Sequence, residues 1–166
     1  MATASEIVGR DVVIREGGKV AGKIKDLVVD PSGRQVLAFV IAEGAFKSTK
    51  VAPWAGVQAI GPDSVILATE GSIVKADDAP DIKTVLDKDL KVHGVRLQTT
   101  TGKDLGKIDD FRFDDLTGAV QGYELSGGVI SDAFGGRTFL PTPMTIELGT
   151  DLAFVGPEAE ATLQKG

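Results

Sequence analysis

Gly22-Lys23-Ile24-Lys25-Asp26-Leu27-Val28-Val29-Asp30 and Gly106-Lys107-Ile108-Asp109-Asp110-Phe111-Arg112-Phe113-Asp114 carry one pattern twice. Each opens on Gly-Lys-Ile, holds an aspartate in mid-run and ends on another. Outward from these runs the match continues. Gly9 answers to Gly94 and Pro53 to Pro141, displaced by about 84 to 88 positions. Such a repeat is too long for a solenoid unit and long enough for a small domain. The chain therefore divides into one copy over residues 1–76, a connector over 77–91 and a second copy over 92–166.

Each copy reads as short strands between turns. Asp11 to Arg15 is an apolar strand, and Glu16-Gly17-Gly18-Lys19 is a hairpin turn. Val20 to Val29 is a second strand, in which Gly22 marks a bulge or a close backbone approach. Asp30-Pro31-Ser32-Gly33 turns the chain into Val36 to Ile41, a continuous apolar run expected to be buried on both faces. Lys50-Val51-Ala52-Pro53 places its proline at a strand end, Trp54 to Ile60 reads as a helical turn or irregular, and Ser64 to Leu67 is a last strand.

The second copy follows suit. Val95 to Leu97, Gly106 to Phe113, Val120 to Leu125, Thr138 to Pro141 and Leu152 to Val155 are its strands, and its turn at Asp114 to Gly118 reads as one residue longer. Helical periodicity is weak throughout; Asp81 to Leu90 reads as a short helix with Ile82, Val85 and Leu86 on one face, and Pro157 to Gln164 has helix-forming composition. Short strands at such intervals indicate a small barrel or sandwich.

These residues resemble the PRC-barrel domain. The two Gly-Lys-Ile runs resemble its central signature, and Val51-Ala52-Pro53-Trp54 with Gly61-Pro62-Asp63 resembles its closing corner and turn. In the second copy Gly149-Thr150-Asp151 keeps the turn, while Thr142 replaces the tryptophan. The resemblance implies an all-β chain of two tandem small, strongly bent antiparallel β-barrels, with a short helical connector and a C-terminal helical turn. Domains of this kind occur in the cytoplasmic part of the photosynthetic reaction-centre H subunit and at the C-terminus of a ribosome-maturation factor for 16S rRNA. Their common theme is assembly and protein contact, and a fold alone does not transfer a role.

Composition narrows the chemistry. There is no cysteine and one histidine, His93, so thiolate nucleophiles, Cys-based zinc sites and a His cluster are excluded. Asp109, Asp110, Asp114 and Asp115 lack the spacing of a calcium loop, and the matching Asp26 and Asp30 favour carboxylates that accept backbone N–H bonds. No Gly-rich turn precedes a Gly-Lys-Ser/Thr helix start, and Ser64, Ser126 and Ser131 have no nucleophile elbow. The expectation is no enzyme, no metal and no cofactor. Net charge is −6: residues 1–76 hold nine Lys/Arg against eight Asp/Glu, and residues 77–166 hold nine against sixteen. That argues against nucleic acid, although Arg15, Lys19, Lys23, Lys25 and Arg34 could gather into a local patch. No apolar run is long enough for a membrane helix, and Met1 to Arg10 has no secretory pattern, so the expectation is a cytoplasmic protein without membrane insertion.

Aromatics are scarce, so three carry weight as candidate interaction residues: Phe46, Trp54 and Phe134. Trp54 reads as a core plug at the barrel end or an interface anchor, and Phe46 and Phe134 sit in corresponding loops, where a large apolar side chain folds back or meets a partner. The expected function is a non-catalytic protein-binding or assembly module of unidentified partner. Small cores and exposed strand edges favour a homodimer. The rivals are a ribosome- or RNA-associated maturation factor and a small-ligand binder at the groove between the barrels.

Overall fold

The β-branched runs form strands wherever glycine and proline turns release them. The structure is a computed structural model that describes residues 1–42, 48–128, 136–143 and 145–166. In the first copy these are β1 (Ala2–Thr3), α1 (Ala4–Ile7), β2 (Asp11–Ile14), β3 (Lys19–Val29), β4 (Val36–Ala42), β5 (Lys50–Pro53), β6 (Val57–Ile60), β7 (Ser64–Leu67) and β8 (Val74–Lys75). The connector contains α2 (Pro80–Asp87). The second copy supplies β9 (Arg96–Thr99), β10 (Asp104–Phe113), β11 (Val120–Ser126), β12 (Arg137–Pro141), β13 (Ile146–Glu147), β14 (Leu152–Val155) and β15 (Gln164–Lys165).

The strands make two sheets of one design. The first runs β6-β7-β2-β3-β4-β5-β8, the second β13-β14-β9-β10-β11-β12-β15, so every position has its counterpart. The expected antiparallel pairing holds except at one ladder in each sheet, where β2 runs parallel to β7 and β9 parallel to β14. The bulges also correspond. Val12 faces Gly22 and Val13 faces Val20, leaving Ala21 unpaired, while Leu97 faces Gly106 and Gln98 faces Asp104. Such bulges bend a strand and increase its twist. The bend is needed because β5 and β6 lie toward opposite ends of the sheet, yet only the 3-10 turn Trp54–Gly56 joins them. A link that short spans roughly 10 Å at most. The sheet must therefore roll up, held by its chain rather than by a last ladder.

The core is shared. One buried cluster takes Val12, Ile24, Phe39 and Leu67 from the first copy and Leu97, Ile108, Phe113, Tyr123 and Leu140 from the second. The run Val36 to Ile41 is buried along nearly all its length, as its lack of polar alternation requires. A second cluster lies on the outside of the first sheet, where α2 covers Val28, Ala38, Val40 and Val51 with Ile82 and Val85. Two further expectations fail. Val57–Ile60, read with Trp54 as a helical turn or irregular, is the strand β6 that pairs with β7. The second is the longer Asp114 turn. The turns from Asp30 to Val36 and from Asp114 to Val120 have equal length, closed alike by Asp30 N–H to the Gln35 carbonyl and Asp114 N–H to the Ala119 carbonyl. Only the positive-φ glycine has moved, from Gly33 to one place later at Gly118.

Candidate functional site

The two turns meet. Gln35 and Ala119, equivalent positions, form a β-bridge, with Val36 N–H donating to the Gly118 carbonyl (2.9 Å) and Val120 N–H to that of Arg34 (2.8 Å). Each turn then enters the other copy. Leu148 N–H donates to the Pro31 carbonyl at 3.1 Å, the Arg34 guanidinium to that of Pro143 at 2.9 Å, and the Tyr123 hydroxyl to that of Gly33. A Cβ at Gly33 would lie 2.8 Å from Ile146, and one at Gly118 2.9 Å from the Trp54 ring, so glycine is what lets each turn pass so close. Burial, aided by the nearby Asp30 carboxylate, pushes the Tyr123 hydroxyl well above its ordinary value.

Trp54 is half-buried at this crossing. Its ring packs on Phe39 of its own copy (5.9 Å between centroids) and edge-on against Phe113 of the other (6.1 Å). It thus anchors an interface inside the chain. Phe46 and Phe134 lie outside the described residues. Beside Trp54 is a shallow hollow of about 190 Å³, bordered by Val57 and Ile60 of the edge strand β6 and by Leu116, which is 86% exposed. Leu116 was legible as an apolar residue in a polar turn, but the sequence does not say that it stands beside Trp54.

The starts of the two copies cross over. β1 pairs with β10, Ala2 opposite Phe113 and Thr3 opposite Arg112, while Ile7 from α1 is fully buried in the common core. Ser5 donates its backbone N–H to Asp110 Oδ1 at 3.1 Å and its hydroxyl to Oδ2. Reciprocally, the connector lays α2 on the first sheet. Between these arms opens a cleft of about 510 Å³. Its walls bring together equivalent residues: Val8 with His93, Asp26 with Asp110, Leu27 with Phe111. Leu27, Phe111 and Val92 are buried beneath Lys25, Asp26, Lys91 and the exposed His93. Sequence reasoning anticipated a groove between the copies but not its residues.

The aspartates act as expected of turn and bulge residues. Asp26 and Asp110 accept the N–H of the residue that follows (2.8 and 2.9 Å), Asp30 accepts those of Arg34 and Gln35, and Asp114 those of Leu116 and Thr117. The Leu116 and Thr117 amides hold the Asp114 carboxyl below its usual range. Of the basic residues in the first copy, Lys19 pairs with Glu70 at 2.8 Å and Lys23 with Asp11 at 2.9 Å, and Arg34 turns inward to Pro143. Among the described residues no group of three or more acidic or histidine side chains is placed to hold a metal ion, and no helix is long and apolar enough to cross a membrane.

No curated protein matches the chain. Compared with protein-family models, residues 1–72 match the PRC-barrel domain. That span contains the central Gly-Lys-Ile run, the Pro53-Trp54 corner and β7, whose strand order the second sheet repeats. Over residues 1–72, the first copy is therefore similar to the PRC-barrel domain.

Proposed function

We propose that the chain is a non-catalytic protein-binding module that works in assembly in the cytoplasm. The family match supports a binding or assembly role. The observation that carries the finer reading is Leu116, a large apolar side chain exposed beside the Trp54 hollow and the β6 edge. An exposed apolar group next to an unpaired strand edge is a surface for a partner to cover. The core shared by both copies meets much of the need for burial within one chain, which removes one reason for a homodimer. The exposed edges remain as the other. The RNA rival gains little from lysines already spent on Glu70 and Asp11. A small-ligand site calls for enclosure, whereas the cleft between the copies is open and rimmed by charges of both signs.

The test is affinity capture from native extract by the wild-type chain and by Leu116→Asp, with gel filtration and light scattering on both. Proteins retained by the wild type and lost by the variant support the reading. A compact monomer that retains nothing, or identical retention by both forms, would overturn it.

A further inference from the structure

The strand β3 lacks something that its counterpart β10 has. On β10, the edge at Arg112 and Phe113 is completed by β1, and Asp110 next to it receives the Ser5 N–H and hydroxyl. The equivalent edge of β3 is Val28 and Val29, where β4 pairs on one side. On the other side no strand is present among the described residues, because β2 pairs only with Lys19 to Lys23. Asp26, the counterpart of Asp110, accepts its own Leu27 N–H through Oδ1. Its Oδ2 has no hydrogen-bond partner among the described residues. Leu90 stands where a repeat of Ser5 would fall, and a leucine side chain cannot donate.

This edge faces the cleft, which Lys25, Asp26, Leu27 and Val29 all line. Lys25 forms no ion pair among the described residues, and it is exposed. Among the described residues the cleft therefore offers a strand edge that no other strand pairs, a carboxylate with one oxygen short of a donor, a lysine without an ion pair and an apolar floor. A strand edge beside a groove is the arrangement that takes up an extended peptide, main chain to main chain.

Resting on the protein-binding reading above, we propose that β3 receives an extended segment of a partner protein along Lys25 to Val29, as β10 receives the chain's own first residues. The segment carries a serine or threonine that donates to Asp26 and an acidic residue that meets Lys25. Small side chains lie over Leu27 and Val29. The chain's own Ala2-Thr3-Ala4-Ser5-Glu6 is the internal template for this chemistry.

The probe is a synthetic peptide, Ala-Thr-Ala-Ser-Glu-Ile, titrated into the full chain and followed by amide chemical shifts. Saturable shifts are expected at Asp26 to Val29. Asp26→Asn keeps the oxygen that binds Leu27 N–H, so it should fold normally and bind about tenfold more weakly, the loss of a charge-assisted contact. A Ser→Ala peptide should be weakened alike. Shifts confined to Asp110 to Phe113 would mean that the peptide merely displaces β1, and would overturn the proposal. So would no shifts at all, or equal binding by Asp26→Asn. Either result would leave capture that depends on Leu116 untouched.

Discussion

The outer faces of the two sheets are built at equivalent positions to opposite ends. On the first, Val28, Ala38, Val40 and Val51 form an apolar patch, and α2 covers it with Ile82 and Val85. On the second, the same places hold Arg112, Gly122, Glu124 and Phe139. There Arg112 bonds Glu124 at 2.8 Å and stacks over the Phe139 ring at 4.4 Å, and Gly122 is bare because a Cβ would lie 2.2 Å from that ring. One backbone supports both solutions. An apolar face needs a lid, while a charged face with an aromatic beneath it can meet water. The repeat therefore preserves what shapes the sheet, its bulges and turns, and leaves the outside free to diverge.

The corners differ in the same spirit, and there the largest effect is expected. Trp54 joins Phe39 to Phe113 across the copies, whereas the hydroxyl of its counterpart Thr142 donates to the Val120 carbonyl at 2.7 Å. Trp54→Ala should cost about 3 kcal/mol, at the lower end for a large aromatic because the ring is only half-buried. Thr142→Val should cost about 1 kcal/mol for the lost bond. Urea unfolding measures both. Equal losses would mean that the tryptophan does not hold the copies together. Ile82→Ala comes next, at about 2 kcal/mol, since the side chain is 4% exposed at the edge of a small cluster. Its loss should expose Val28 and Val40 and leave the second sheet unchanged in hydrogen exchange. Protection lost equally in both sheets would refute the independence of the two outer faces.

A smaller effect should come from the buried link between the turns. Tyr123→Phe removes the hydroxyl from Gly33 and leaves that carbonyl without its donor, a loss of about 1 kcal/mol. The chain has one tyrosine, so its ionisation can be read directly by absorbance. The folded hydroxyl is raised above its ordinary 10.0. The unfolded chain therefore ionises first. This contribution is intact below pH 10 and fades as pH climbs through the raised value. Absorbance should stay flat past pH 10 and then rise together with unfolding. A simple titration centred on 10 in the folded chain would show that the ring is not buried between the copies.

Most of this frame could be read from the residues. Glycine, proline and aspartate fixed the turns, and the two Gly-Lys-Ile runs gave the duplication, because turn and bulge chemistry is local and each residue type has few alternatives. The Asp114 turn reads as longer than it is because its glycine, Gly118, sits one place later than Gly33 in a turn of the same size. The crossing of the arms was not legible. Ala2-Thr3-Ala4-Ser5 has no pattern that names a strand 105 residues away as its partner, and Ser5 meets Asp110 only once both copies are folded. The cleft was foreseen as a groove but not as a set of residues, since Lys25, Asp26 and His93 come together through the rolled sheets and not through spacing. For Trp54 the sequence leaves open a core plug or an interface anchor, and the ring packs against the shared core, edge-on to Phe113.

The smallest effect tests the polar outer face itself. Arg112 and Glu124 are 30% and 28% exposed, too sheltered for a fully screened surface pair and too open for a buried one. A double-mutant cycle with Arg112→Met and Glu124→Gln should therefore give a coupling of about 0.5 to 1 kcal/mol. Added salt should reduce it only partly, since part of Arg112's contribution is its stacking on Phe139, which a methionine replaces poorly. Coupling near zero would place this pair with ordinary solvated charges, and the second sheet would then owe its uncovered face to Phe139 and Gly122 alone. Coupling well above the expected range would mean that water reaches the pair less than its exposure indicates, and the two outer faces would differ in chemistry but not in how dry they are.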